Sequence, residues 1–207
     1  DRYSRRKSGE EKAMRPFLLV ASFVNPHDIV LFPAWRRQEN NPIEKSNLDP
    51  PLVPEPPTRH EDLSSKPASQ IAYKNAYFSG YGPYRRVKSI YERNEQAYRN
   101  LYYRLHLEVD GPIDSVRKTV TENDSNETII FRTSDHGDLL GAHGGLHQKW
   151  FTLYDEATRV PFQIVKTGNQ PTSSKIISNI PTSHIDLIPT ALGLAGLNQE
   201  DLSEKLS

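Results

Sequence analysis

The sequence predicts an α/β fold: part of a mixed, mostly parallel sheet flanked by helices. Two apolar runs of strand length, Pro16 to Val24 and Thr128 to Phe131, lack the alternation of a half-exposed strand. Strands buried on both faces of a parallel sheet have that composition. Between them, Asn94 to Val120 sets Tyr98, Leu101, Tyr102, Leu105 and Val109 on one helical face. Both runs stop at polar segments carrying His and Asp, and in open α/β sheets the carboxyl ends of strands are where sites are built.

Composition excludes several classes. Lys plus Arg and Asp plus Glu each number 26 in 207 residues, so no net field favours nucleic acid or an anionic membrane surface. No apolar stretch approaches the ~20 residues of a membrane span. Cysteine is absent, which removes disulfides and thiolate sites. The 16 prolines point to a surface rich in loops.

Residues 1–15 mix Arg and Lys with acids and read as a solvated, charged lead-in. The strand expected at Pro16 to Val24 runs into Asn25-Pro26-His27-Asp28, which sets the His27 imidazole at a strand end; alone, it is equally an ordinary loop histidine. Residues 36–70 hold Pro42, Pro50, Pro51, Pro54, Pro56, Pro57 and Pro67, a density that excludes helix and interior strand and predicts extended loop. Its roles divide between lining a substrate entrance and wrapping the surface. Tyr73, Tyr77 and Tyr81 follow at a spacing of four, with Tyr84 beyond, a pattern of helix packing. In the long helix, Gly111-Pro112 predicts an interruption, with Pro112 opening a second helix through Ile113, Val116 and Val120. Asn123 and Asn126 each begin a glycosylation sequon, a short pattern that arises by chance.

The strand expected at Thr128 to Phe131 leads into Ser134-Asp135-His136-Gly137-Asp138. Adjacent residues of a straight strand point to opposite faces, so Asp135 and His136 reach one ion only if the chain turns, and Gly137 permits a turn. Taken alone, the triplet is read equally well as a loop histidine beside a helix-capping aspartate. Val160 to Val165 predicts another strand with Pro161 at its start. Ser183 to Asp186 predicts a capping box opening the apolar helix Leu187 to Gly196.

Several of these segments, in this order, resemble the sulfatase family of the alkaline-phosphatase superfamily. The resemblance rests on Phe17 to Val24 followed by Pro26-His27, on Ser134-Asp135-His136-Gly137, on Leu140-Gly141-Ala142-His143-Gly144, on Lys149, on Tyr154-Asp155-Glu156 with Arg159-Val160-Pro161, and on Ser183 to Gly196. It covers about Pro16 to Gly196 but only the later part of the family's catalytic domain, so residues 1–207 read as a single partial domain that begins partway through a longer enzyme. It implies an alkaline-phosphatase-like α/β fold and a metal-dependent sulfuric ester hydrolase of arylsulfatase or choline-sulfatase type, acting on a small-molecule or glycan sulfate ester.

The resemblance also implies roles. Asp135 and His136 would bind a divalent cation, Ca²⁺ first, with Mg²⁺, Mn²⁺ or Zn²⁺ as alternatives for a carboxylate and an imidazole. His27 and Lys149 would be catalytic and substrate-binding, His27 beside the ester and Lys149 on a sulfate oxygen. His143 and His147 would hydrogen-bond to the cation's ligands from behind or be ordinary loop histidines. The family's nucleophile, a formylglycine made in a Cys/Ser-x-Pro-x-Arg motif, has no counterpart here. Ser65-Lys66-Pro67-Ala68-Ser69 lacks the arginine, and Tyr81-Gly82-Pro83-Tyr84-Arg85 lacks the nucleophile. The formylglycine is expected in an upstream segment, so the chain alone is expected to be inactive, and to pair as a homo-oligomer through exposed sheet surface or to be weakly stable. Two other readings stand beside this one: a phosphonate monoester or phosphodiester hydrolase of the same superfamily, and a nucleophile-free protein that binds anions or a partner.

Overall fold

A computed structural model describes residues 18–35, 52–81, 84–85, 87–123, 128–149, 151–167, 178–197, 200 and 203. The chain divides into two compact units, residues 1–170 and 171–207. In chain order the first unit contains helix α1 (Phe32–Trp35), helix α2 (Ala68–Ser79), strands β1 (Gly80–Tyr81) and β2 (Tyr84–Arg85), helix α3 (Val87–Asn123), strand β3 (Ile129–Thr133), helix α4 (Asp155–Thr158) and strand β4 (Phe162–Lys166). The second contains helix α5 (Leu187–Leu194).

Helix α3 is the spine of the first unit. Its expected apolar face is buried: Tyr98, Leu101 and Leu105 join Val87 and Tyr91 from the same helix, and Ile29, Phe32 and Tyr77 from elsewhere. The centre is aromatic. Tyr91 and Tyr98 meet edge to face at 5.1 Å, Phe32 meets Tyr98 in the same way at 5.1 Å, and the Tyr77 and Tyr91 hydroxyls share a hydrogen bond of 2.9 Å. Offset and edge-to-face rings keep the negative face of one against the positive rim of another, and the shared hydrogen bond satisfies both hydroxyls away from water. Tyr73 and Tyr77 lie on α2 and pack toward this core, as their spacing predicted. Tyr81 instead belongs to β1, which pairs antiparallel with β2.

The interruption expected at Gly111-Pro112 is absent: α3 is helical through Pro112, and its one non-helical residue is Asn94, at φ −137° and ψ 23°. There the Asn94 side-chain amide donates to the Ile90 carbonyl at 2.7 Å, standing in for a backbone donor. Gly111 and Pro112 are exposed, so solvent can take the carbonyl that Pro112 leaves without an amide partner.

The proline-rich segment, where described, wraps along α3. The Val53 N–H donates to Asn100 Oδ1 at 3.1 Å and its carbonyl accepts from Gln96 Nε2 at 2.8 Å. Arg59 then grips Glu95 through Nε at 2.9 Å and a terminal nitrogen at 2.6 Å. These bonds anchor an extended chain that has no ladder of its own. Residues 36–51 lie outside the described residues.

Two expectations are corrected. Residues 18–24 form no strand: Leu18 and Val20 are each 79 % exposed, and no ladder partner lies beside them among the described residues. An apolar run becomes a buried strand only when neighbours take its hydrogen bonds and cover its faces. The strand after Thr128 does form, as β3, but it is only half-buried, and it pairs antiparallel with β4 in the register Ile129↔Lys166 to Thr133↔Phe162. Every residue of β4 is exposed. Among the described residues both sheets are two-stranded and antiparallel, so the mostly parallel sheet is not seen there.

In the second unit the expected cap is present. The Ser183 N–H donates to Asp186 Oδ2 at 2.7 Å, and α5 follows at Leu187. It ends at Leu194, and just beyond its cap Gly196, at a φ of +81°, lets the Leu197 N–H return to the Leu192 carbonyl at 3.0 Å.

Candidate functional site

The site is built where β3 ends. Beyond Thr133 the Ser134 hydroxyl donates to the His136 carbonyl at 2.9 Å, and the His136 N–H donates to Asp135 Oδ1 at 3.0 Å. These bonds fold the strand end into the turn that lets adjacent side chains face one place. His136 Nδ1 lies 2.9 Å from the Gly137 carbonyl, and a carbonyl only accepts, so Nδ1 carries the proton. Nε2 lies 3.5 Å from Asp135 Oδ2. Burial pushes the Asp135 carboxyl up, but the His136 charge, the backbone N–H groups and the Ser134 hydroxyl outweigh it and hold the group below its usual range.

Gly137 is required for a reason the sequence did not reveal. Its N–H donates to the Ala157 carbonyl at 2.9 Å, and a Cβ there would lie 2.0 Å from the Glu156 carbonyl oxygen. The glycine is needed for the close approach of α4 rather than for a left-handed turn.

His27 is brought to the same place from a different segment. It opens a 3₁₀ turn, His27–Leu31, whose Ile29 is buried, and Phe32 follows at 0 % exposure. Those two anchors hold the His27 ring 6.3 Å from the His136 ring at an interplanar angle of 53°. Lys149 is half-buried, and its charge acts on the buried Asp138. Asp138 was not among the expected site residues. It accepts from the Tyr98 hydroxyl at 3.1 Å and the Leu140 N–H at 2.9 Å; burial pushes its carboxyl up, opposed by those donors and by Lys149. The one sequence signal for it is an acid set directly before the apolar pair Leu139-Leu140.

His147 is neither a loop histidine nor a partner of Asp135 or His136; it is 2 % exposed and stacked on Tyr91 at 4.1 Å. Burial, with the charges of Arg59, Arg99 and Lys74, pushes its pKa down to about 3. The ring is therefore neutral when folded and takes a proton when unfolded, so its contribution to stability is complete above the unfolded value of about 6.5 and is lost as pH falls from there toward 3. Denaturant titrations should show stability falling by up to about 1 kcal/mol per pH unit across that window. His147→Gln should flatten the fall.

His143 sits between two carboxylates, Nδ1 2.7 Å from Glu61 Oε2 and Nε2 3.1 Å from Glu156 Oε2, and stacks on Tyr154 at 3.5 Å. Glu61 was not singled out from the sequence, because it is 82 residues away and only the folded chain brings it near, and Glu156 entered only as part of the Tyr154-Asp155-Glu156 motif. Among the described residues no three His, Asp or Glu groups converge as a cation cage. Asp135 and His136 are a two-donor pair with one carboxylate oxygen and one free imidazole nitrogen, which fits part of a divalent cation's shell.

A strand end that presents a carboxylate and an imidazole, faced by a second imidazole from another segment, defines the class: an α/β protein with a polar site at the carboxyl end of a strand. The chain belongs to the sulfatase family, whose model, described as Sulfatase, matches residues 7–197. It is 28 % identical over 196 residues to the uncharacterised sulfatase YidJ of Escherichia coli strain K12, covering 92 % of this chain and 34 % of that protein. It is 27 % identical over 203 residues to the choline-sulfatase of Rhizobium meliloti strain 1021, covering 97 % and 35 %. It is 27 % identical over 186 residues to the Delta 4,5-hexuronate-2-O-sulfatase of Bacteroides thetaiotaomicron, covering 88 % and 37 %. The chain spans about a third of the length of these relatives. No solved structure matches it significantly. Membership implies an alkaline-phosphatase-like α/β fold, and among the described residues no helix is long and apolar enough to cross a membrane.

Proposed function

We propose that this chain contributes the carboxylate and imidazole cation donors and a sulfate-binding lysine to a sulfuric ester hydrolase. The observation that carries the reading is the geometry of His136. With Nδ1 committed to the Gly137 carbonyl, Nε2 and an Asp135 oxygen face each other across 3.5 Å. With Nε2 unprotonated, both are lone-pair donors that one cation can join. A divalent cation, Ca²⁺ by the hardness of the carboxylate and Mg²⁺, Mn²⁺ or Zn²⁺ as alternatives, would supply Lewis-acid stabilisation of charge on the ester oxygens.

The other roles follow from position. His27, beside His136, is placed to meet the ester or its leaving oxygen. Lys149 offers a compact positive charge to a sulfate oxygen, and Asp138 steadies it electrostatically. The formylglycine does not fit the residues present: Ser65 is exposed at the end of a 3₁₀ turn and its segment lacks the motif's arginine. No step is therefore assigned to it, and the chain alone is expected not to turn over an aryl sulfate. The exposed β4, with Ile164 at 53 % and Val165 at 47 %, is the surface through which two chains would pair.

Mn²⁺ added to the ¹⁵N-labelled chain should broaden the ring signals of His136 and His27 selectively, and Asp135→Asn should remove the effect. Uniform broadening of all histidines, or selective broadening that survives Asp135→Asn, would count against the assignment. Where the chain is joined to a segment supplying the nucleophile, Asp135→Asn should lower kcat/KM for an aryl sulfate by about a thousandfold. Faster turnover of a phosphodiester than of the matching sulfate would move the reading to phosphorus esters.

A further inference from the structure

We infer that His143, bridging Glu61 and Glu156 through its two ring nitrogens, is a positioning residue for the Asp135–His136 turn and acts through α4. A neutral imidazole has one N–H, yet both ring nitrogens lie within hydrogen-bond distance of a carboxylate oxygen, at 2.7 and 3.1 Å. Only the doubly protonated ring donates to both. The His143 side chain is 12 % exposed, which strengthens both bonds relative to water.

The ring joins segments that are far apart in the chain. Glu61 belongs to the proline-rich segment and Glu156 to α4. Tyr154, directly before α4, stacks on the ring at an interplanar angle of 8° and hydrogen-bonds Gln70 of α2 through its hydroxyl at 2.8 Å. The backbone is fixed as tightly. The His143 N–H donates to Thr58 Oγ1 at 3.1 Å, the Gly144 N–H donates to the Thr58 carbonyl at 2.9 Å, and Lys74 donates to the Gly144 carbonyl. His143 itself holds a φ of +51°, a left-handed value that a residue with a Cβ rarely adopts.

From α4 the connection to the site is direct. The Glu156 carbonyl oxygen lies where a Cβ of Gly137 would be, and the Ala157 carbonyl takes the Gly137 N–H. Gly137 follows His136, so whatever fixes α4 fixes the turn that aims Asp135 and His136.

The charged groups around the ring are Glu61 and Glu156 on its two nitrogens, Lys66 at 2.7 Å from Glu61, Lys74 at the Gly144 carbonyl, and Arg59 packed against Gly145. Lys66 first and His143 second hold the Glu61 carboxyl below its usual range, so that partner stays ionised. The longer bond, to the more exposed Glu156, is the weaker link, and without it α4 loosens from Gly137.

The meaning of this clamp for turnover rests on the reading of Asp135 and His136 above, but its test does not. At one fixed pH, amide exchange of the labelled chain should show Gly137 exchanging about tenfold faster in Glu156→Ala and in His143→Asn than in wild type, while Asp155→Ala, on the same short helix, leaves its rate unchanged. Gly137 exchanging at the wild-type rate in both variants, or equally faster in Asp155→Ala, would overturn the inference. Where one of the two variants does not fold, the other decides. The readout uses neither a metal nor a sulfate ester, so failure of the clamp and failure of the hydrolase reading register separately.

Discussion

Gly137→Ala should be among the most damaging single substitutions in this protein. The added methyl would lie 2.0 Å from the Glu156 carbonyl oxygen and 3.2 Å from its carbon, and both are backbone atoms that no rotamer change can move aside. Either α4 lifts away and the Gly137 N–H loses the Ala157 carbonyl, or the Asp135–His136 turn shifts. Overpacking of this kind costs about 3 kcal/mol. In urea titrations Gly111→Ala is the contrasting variant. Nothing lies within 4 Å of a Cβ at Gly111 and the residue is helical, so that change should stabilise by about 0.5–1 kcal/mol. A Gly137→Ala chain as stable as wild type, with Mn²⁺ broadening of His136 intact, would show that the turn tolerates movement the packing denies it.

Tyr91→Ala should cost about 3–5 kcal/mol and disturb the site region as well as the core. Tyr91 is fully buried; it meets Tyr98 edge to face at 5.1 Å, shares a hydrogen bond with the Tyr77 hydroxyl, and stacks on His147 at 4.1 Å. Removing it empties the centre of the aromatic cluster, strands the buried Tyr77 hydroxyl, and frees the His147 ring two residues before Lys149. Tyr91→Phe keeps the rings and removes only the hydroxyl, so its loss should be nearer 1 kcal/mol. Thermal melts of the two variants measure the difference. Equal losses would mean that the hydrogen bond, rather than the ring packing, carries the stability.

Some of the architecture could be read without coordinates because local physics settles it. The helical spacing of Tyr98, Leu101, Leu105 and Val109 predicts the buried face of α3, since a helix of this length must hide such a stripe. The Ser183–Asp186 cap and the glycine turn just beyond the end of α5 are fixed by which groups are within a few bonds of one another. Asp135, His136 and His27 were expected at the site from strand ends followed by polar residues and from the order of motifs resembling one family; of the two strands only β3 forms. The fold then sets the His27 and His136 rings 6.3 Å apart.

Other features depended on partners that no local pattern reveals. The run at residues 18–24 has the composition of a buried strand, but a strand exists only where another chain segment takes its hydrogen bonds, and none is paired with it among the described residues. Pro112 looked like a helix break; exposure of that turn let the helix continue, and the irregularity fell at Asn94 instead. The surroundings of His143 and His147 are opposite in kind, one bridging two glutamates and one buried and neutral against Tyr91, although they lie four residues apart. The sequence by itself determined the ordered motifs of the family and which helical faces are apolar, because those depend on residue type and short-range spacing. Only the tertiary structure decided that Gly137 makes room for α4, that Asp138 is buried beside Tyr98, and that Glu61 reaches His143, because each depends on contacts across tens of residues whose desolvation and charge no local pattern encodes.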